Sequence, residues 1–182
     1  MADLGSHDDA FADGDSASVR KVRKCFLVFE LAEETSDGHR HLIGKTFTLS
    51  FHAKSALRKL AEALLNDGTP FDEASGADLN YVALLGLSCL VEIKHVKSNG
   101  GARTYANVGN VSAVPKKSRN KIFQPNHEPT SWFVGQDLEA LPSWLPRSFG
   151  EEVREIIARC HEMTEVRDEG EVSAGVSGEE PF

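Results

Sequence analysis

From Lys45 to Phe51 every second side chain is apolar, with Phe47, Leu49 and Phe51 set against Thr46, Thr48 and Ser50; a few residues later the apolar period lengthens. Strict alternation is the mark of a strand with one face buried, because successive side chains leave opposite faces of a sheet. Between Ser55 and Leu65 the apolar positions become Leu57, Leu60, Ala61, Leu64 and Leu65, one side of an amphipathic helix, and Asn66-Asp67-Gly68 supplies its stop. The chain therefore places one helix between groups of strands. Upstream, the aromatic and β-branched run Val22–Leu31 ends in the turn-forming Glu33-Glu34-Thr35-Ser36-Asp37-Gly38 and reads as a strand. Downstream, Leu84–Val96 and Arg103–Val114 flank Lys97-Ser98-Asn99-Gly100-Gly101, the signature of a β-hairpin.

Read in order, these elements are strand, strand, helix, strand, strand, with room for a further strand at the N-terminus. The expected fold class is mainly β (β+α), an OB-fold-like five-stranded barrel with one inserted helix; an unrelated α+β meander gives the same string. Beyond Pro115 the pattern loosens. Prolines at 129, 142 and 146 break residues 126–146, whose Trp132, Phe133, Leu138, Leu141, Trp144 and Leu145 are expected to dock on the barrel rather than fold alone. A C-terminal helix is expected over Phe149–Met163, through Val153, Ile156 and Ile157. Residues 164–182 carry no apolar period and read as a disordered acidic tail. Residues 1–19, rich in Asp, Ser, Gly and Ala, read as an acidic flexible arm, which leaves 20–163 as one domain with a helical extension.

The net charge of -8 conceals a strong asymmetry. Residues 1–19 hold five acidic and no basic side chains, and 122–182 hold thirteen against four. Residues 20–121 hold sixteen Lys and Arg against ten Asp and Glu, a net of +6. A basic middle between acidic ends is the electrostatic footprint of a phosphate-binding surface, although many soluble chains show some unevenness. Cys25, Cys89 and Cys160 are far apart and form no C-x-x-C pair, so neither a disulfide framework nor a metal site is expected, and a reducing, cytoplasmic setting is. No apolar stretch is long enough to cross a membrane. No P-loop, nucleophile elbow or paired-acid signature is present, so neither catalysis nor a cofactor is expected. His39 and His41 flank Arg40 in a turn without a third ligand and read as solvated.

Single-stranded nucleic acid is held by cations along its backbone and by aromatic rings that stack on bases. In the basic middle the backbone-contact candidates are Arg23, Lys24, Lys45, Lys94, Lys97, Arg103, Lys116, Lys117, Arg119 and Lys121. The stacking candidates are Phe26, Tyr105 and Phe123; a strand Phe is more often core than platform, whereas Tyr105 stands beside Arg103. The cluster over 116–121 is equally compatible with a solvated loop. Tight binding usually multiplies such sites, so a homo-oligomer is expected.

The C-terminus is more specific. Glu169, Glu171, Glu179 and Glu180 precede a terminal Pro181-Phe182, which presents an aromatic ring and a free carboxylate together. A partner with a small apolar pocket and a basic rim can take both. This end resembles the acidic tip of bacterial and phage single-stranded DNA-binding proteins, which ends in Pro-Phe. It departs from them in having Glu where Asp is usual and no apolar residue before Pro181. The resemblance implies a protein that coats single-stranded DNA in replication, recombination or repair and recruits partners through Glu179, Glu180, Pro181 and Phe182.

Asp3-Leu4-Gly5, Phe47–Ser55 with Leu57-Arg58-Lys59, Leu85–Cys89, His95, Tyr105–Val108, Val114-Pro115-Lys116 and Leu141–Trp144 form a second set of pieces. Together they resemble a family of small phage and prophage proteins encoded near replication and recombination functions. In that family an apolar strand precedes Asp-Leu-Gly. Here Met1 nearly abuts it, so a shortened or absent first strand is expected. The alternative class is a phage interaction protein that binds a host protein, its acidic ends imitating DNA charge.

Overall fold

The computed structural model describes the chain except residues 14–15, 51, 66–70, 72–79, 99, 116, 119–123 and 164–182; for 11–13 and 16–17 it describes the backbone alone. Strands β1 (Ala2–Asp13), β2 (Ser16–Glu34) and β3 (Arg40–Thr48) form an antiparallel sheet in that order. β2 is long enough to serve two partners: its first part pairs with β1 from Ser16 to Phe26, and its second pairs with β3 from Lys24 to Glu34. Helix α1 (Ala56–Leu65) follows, then the hairpin of β4 (Cys89–Lys97) and β5 (Thr104–Ala113), and finally α2 (Arg147–Ile157).

Two apolar clusters lie on opposite faces of the three-stranded sheet. Cys25 and Leu27 point to the side of Phe47, Leu57, Leu60 and Ala61, so the apolar stripe of α1 covers that face. Phe26, between them, points the other way, to Ala2, Leu4, Trp132, Val153 and Ile157 beneath α2. A strand buried on both faces must be apolar at consecutive positions, which is why Cys25–Phe29 is a run and not an alternation. The C-terminal segment docks as expected through Trp132, and its backbone pairs with the start of the chain. Asp3 N donates to Trp132 O at 2.8 Å and Trp132 N donates to Met1 O at 2.9 Å.

Residues 2–13 are a strand and not a mobile arm, and 16–19 already belong to β2. The physical reason is charge pairing that composition does not reveal. Asp8 faces Lys21 and Asp9 faces Arg20 across the ladder, and Lys24 Nζ reaches Asp9 Oδ1 at 2.6 Å. Asp3-Leu4-Gly5 accordingly lies inside the first strand, where the register shifts and Leu4, the extra residue, turns into the core with no exposed surface. Gly5 has a φ of 76°, and a Cβ on it would stand 2.8 Å from Cys160 Sγ. Glycine is the residue that permits this approach.

The strands form two separate sheets. Among the described residues no ladder joins β1 or β3 to the β4–β5 hairpin, so the barrel is not closed by backbone hydrogen bonds. The two sheets are tied instead by Lys45, whose Nζ donates to the carbonyls of Val108 and Gly109 at 3.1 and 3.0 Å. Residues 84–88 do not extend the fourth strand. Asn80 caps a 3-10 turn over Tyr81–Leu84, and Gly86 has a φ of 78°. The second helix, Arg147–Ile157, starts two residues earlier and ends six residues earlier than its apolar period indicates.

A carboxylate locks the last described residues to β1. Glu162 accepts from Ser6 N at 2.8 Å and from Ser6 Oγ at 2.7 Å. Burial opposes ionisation of Glu162, but the Ser6 donors prevail and bring its pKa from 4.5 down to about 2. A carboxylate depressed in the folded state contributes stability above its unfolded pKa and loses it on acidification. Folding stability should thus fall between about pH 4.5 and pH 2 more steeply in the native chain than in Glu162→Gln, as denaturant titrations across that range would record. Parallel curves would dismiss Glu162 as a source of the acid sensitivity.

Candidate nucleic-acid interface

The fold divides the basic candidates into those engaged internally and those facing solvent. Arg23 is engaged: its Nε donates to Asp3 Oδ1 at 3.1 Å and its Nη2 to Asp3 Oδ2, while Asp3 is 2% exposed and also accepts from Gly5 N. Lys24 is held by Asp9, and Lys45 by the Val108 and Gly109 carbonyls with its ammonium over the Phe47 ring. Phe26 is core, 3% exposed and edge-on to Phe149, and has no face to offer a base. The alternative reading of a strand Phe is the correct one there, because its side of the sheet is roofed by α2. Lys116, Arg119, Lys121, Phe123 and the tip residues Glu179, Glu180, Pro181 and Phe182 lie outside the described residues. Lys117 is exposed.

The remaining candidates gather on the distal half of the β4–β5 hairpin, where residues 94–97 and 103–107 are all exposed. The ladder there is regular, with Lys94 opposite Asn107, His95 opposite Ala106, Val96 opposite Tyr105 and Lys97 opposite Thr104. Ser98 and Arg103 extend it, since Ser98 N donates to Arg103 O at 2.8 Å and Arg103 N to Ser98 Oγ at 3.1 Å. Directly opposed residues share a face and alternate residues repeat it. One face therefore carries three successive rows: Lys94 with Asn107, Val96 with Tyr105, and Ser98 with Arg103. Tyr105, 50% exposed, stands between two cations, each one row or about 7 Å along the strand from it. Lys97 is on the opposite face with His95.

The same face continues toward the body through Glu92 and Leu90. Sequence reasoning passed over Glu92, Gly109 and Asn110, which form a β-bulge. The available signal was the Gly109-Asn110 pair interrupting the valines of β5.

Two other features differ in character. A cavity of about 580 Å³ between β2, α1 and the start of β4 is lined mainly by apolar side chains such as Leu27, Phe29, Leu60, Leu64, Leu84 and Val91. Beside it Glu30 accepts from Asn126 N at 2.8 Å and His127 N at 3.1 Å. Glu30 also meets Arg40 Nη1 at 3.2 Å and His127 Nδ1 at 2.8 Å, which pins residues 124–127 to the β2–β3 hairpin. Burial works against ionisation of Glu30, yet the Asn126 and His127 donors hold it below the usual carboxylate range. Burial also pushes the Cys25 thiol up to about 12 and that of Cys89 to about 11, so neither is a thiolate near neutral pH. Among the described residues no group of His, Cys, Asp and Glu is placed to hold a metal ion, and no helix is long and apolar enough to cross a membrane.

No known protein family, curated protein or solved structure matches the chain. The hairpin surface presents a half-exposed ring with a cation one row to either side.

Proposed function

We propose that this chain binds single-stranded DNA through the outward face of the β4–β5 hairpin and recruits replication or recombination proteins through its Glu-Glu-Pro-Phe end. The observation that carries the reading is the row order on that face, with Tyr105 exposed between Lys94 and Arg103. Stacking is tolerant of sequence because every base has a π-face, and the flanking ammonium and guanidinium groups supply the salt-dependent share of affinity. The order of three strands, helix and hairpin supports an OB-like architecture, in which the loop between the last two strands is one of the oligonucleotide-binding loops. A role in coating phage or prophage DNA, in an oligomer within the cytoplasm, is the biological setting this reading implies.

The tail gives the division of labour. Six acidic side chains in residues 164–182, four of them from Glu169 to Glu180, compete with DNA for the basic hairpin. Deleting residues 164–182 should leave the affinity for a dT oligonucleotide equal or raised and abolish capture of partners. A truncated chain that lost DNA binding would show that the tail belongs to the DNA site. A chain that captured a host protein but ignored dT would support the alternative, an interaction protein.

A further inference from the structure

The bulge in the β4–β5 ladder is built around an anion. Val91 pairs with Val111 and Ile93 with Val108, so Glu92 alone faces two residues, Gly109 and Asn110. Its Oε2 accepts from Asn110 N at 3.1 Å and lies 3.6 Å from Lys94 Nζ. A backbone donor and an ammonium thus converge on one oxygen. Beneath them a Cβ on Gly109 would stand 2.8 Å from Glu92 Oε2 and 2.8 Å from Lys94 Cε, so a larger residue there would push both flexible side chains aside. A glycine inside a strand often marks a place where another group approaches the backbone closely. On the β3 side of the bulge, Lys45 Nζ donates to the Val108 and Gly109 carbonyls. The Glu92 carboxylate itself is 53% exposed, at the surface and not in the core.

We propose that Asn110 N–H and Lys94 form a phosphate subsite that the Glu92 carboxylate occupies in the free protein and that a DNA phosphate takes over on binding. The proposal rests on the single-stranded DNA reading above and refines it by assigning the first backbone contact. Glu92 lies on the same face as Lys94 and Tyr105, so a phosphate at its position is in line with a base stacked on the ring. An exposed ion pair contributes little, so displacing it costs little. Glu92 is consequently a residue that tunes affinity. It excludes weakly held anions and lowers the salt dependence, because Lys94 is neutralised from within and not by solution ions.

The test compares the full chain with Glu92→Gln, which keeps an acceptor for Asn110 N–H and removes the charge. The variant should bind a dT oligonucleotide about two- to fivefold more tightly, the range an exposed pair covers. Its plot of log affinity against log salt should be steeper by about 0.7, the share of one further phosphate contact on a single strand. Adding Lys94→Met to the variant should remove both gains. Independently of DNA, inorganic phosphate should shift the Asn110 amide resonance in Glu92→Gln and leave it unmoved in the native chain. Native dT binding together with an unchanged slope and a silent Asn110 in the variant would overturn the subsite and leave the DNA reading intact. A native chain that does not bind dT at all would overturn both, even if Asn110 responded to phosphate.

Discussion

Replacing Tyr105 with alanine is expected to weaken binding of a dT oligonucleotide by about 1–3 kcal/mol, roughly five- to 150-fold, the cost of removing one base–aromatic stack. The effect is on the bound state alone. Tyr105 is half exposed and opposes only Val96, so the fold should keep its stability to within about 0.5 kcal/mol. Tyr105→Phe keeps the ring and should bind nearly as the native chain does, which separates stacking from a hydroxyl hydrogen bond. Lys97→Ala, on the opposite face, should cost less than Lys94→Ala or Arg103→Ala, which flank the ring. Fluorescence anisotropy with a labelled dT strand would rank the five variants. If Lys97 proved as costly as Lys94 and Arg103, the strand would not be following a single face.

Replacing Trp132 with alanine is expected to destabilise the fold by about 3–5 kcal/mol, the range for deleting a large buried aromatic. Trp132 is 2% exposed and packs among Ala2, Leu4, Phe26, Val153 and Ile157, with its indole Nε1 donating to Asp137 O at 2.9 Å. Its backbone also pairs with the first residues of the chain, so the cavity opens where the C-terminal segment meets β1. A loss of that size is a large part of the roughly 5–15 kcal/mol that holds an ordinary domain folded. Phe133→Ala, next in sequence but 41% exposed, should be nearly neutral. Denaturant unfolding of the pair measures the contrast, and equal stabilities would mean that the C-terminal segment does not carry the core beneath α2.

Legibility from sequence followed the range of the interactions. The α1 helix and the turn of the β4–β5 hairpin depend on local period and turn chemistry and lie where those signals place them, whereas the fourth strand begins only at Cys89 and not at Leu84. The first strand was hidden because Asp8 and Asp9 become pairable only when Lys21 and Arg20 stand opposite, a relation set by the ladder and not by composition. Phe26 looked available because nothing near it in sequence covers its face; α2, more than a hundred residues away, does. The charge of the middle segment was overstated for the same reason, since Arg23 and Lys24 are matched by the acidic strand beside them. Tyr105 and Arg103 were legible as neighbours, but their row with Lys94 exists only through the register, and so does the bulge that holds Glu92. The acidic Pro-Phe end remains a property of the sequence, and residues 164–182 lie outside the described structure.

Whether the hairpin binds single strands is decided by titrating the full chain against a dT oligonucleotide and a duplex of the same length over a series of salt concentrations. The dT strand should bind more tightly than the duplex, with log affinity falling linearly with log salt. No binding of dT at low salt, or a preference for the duplex, would contradict single-strand binding.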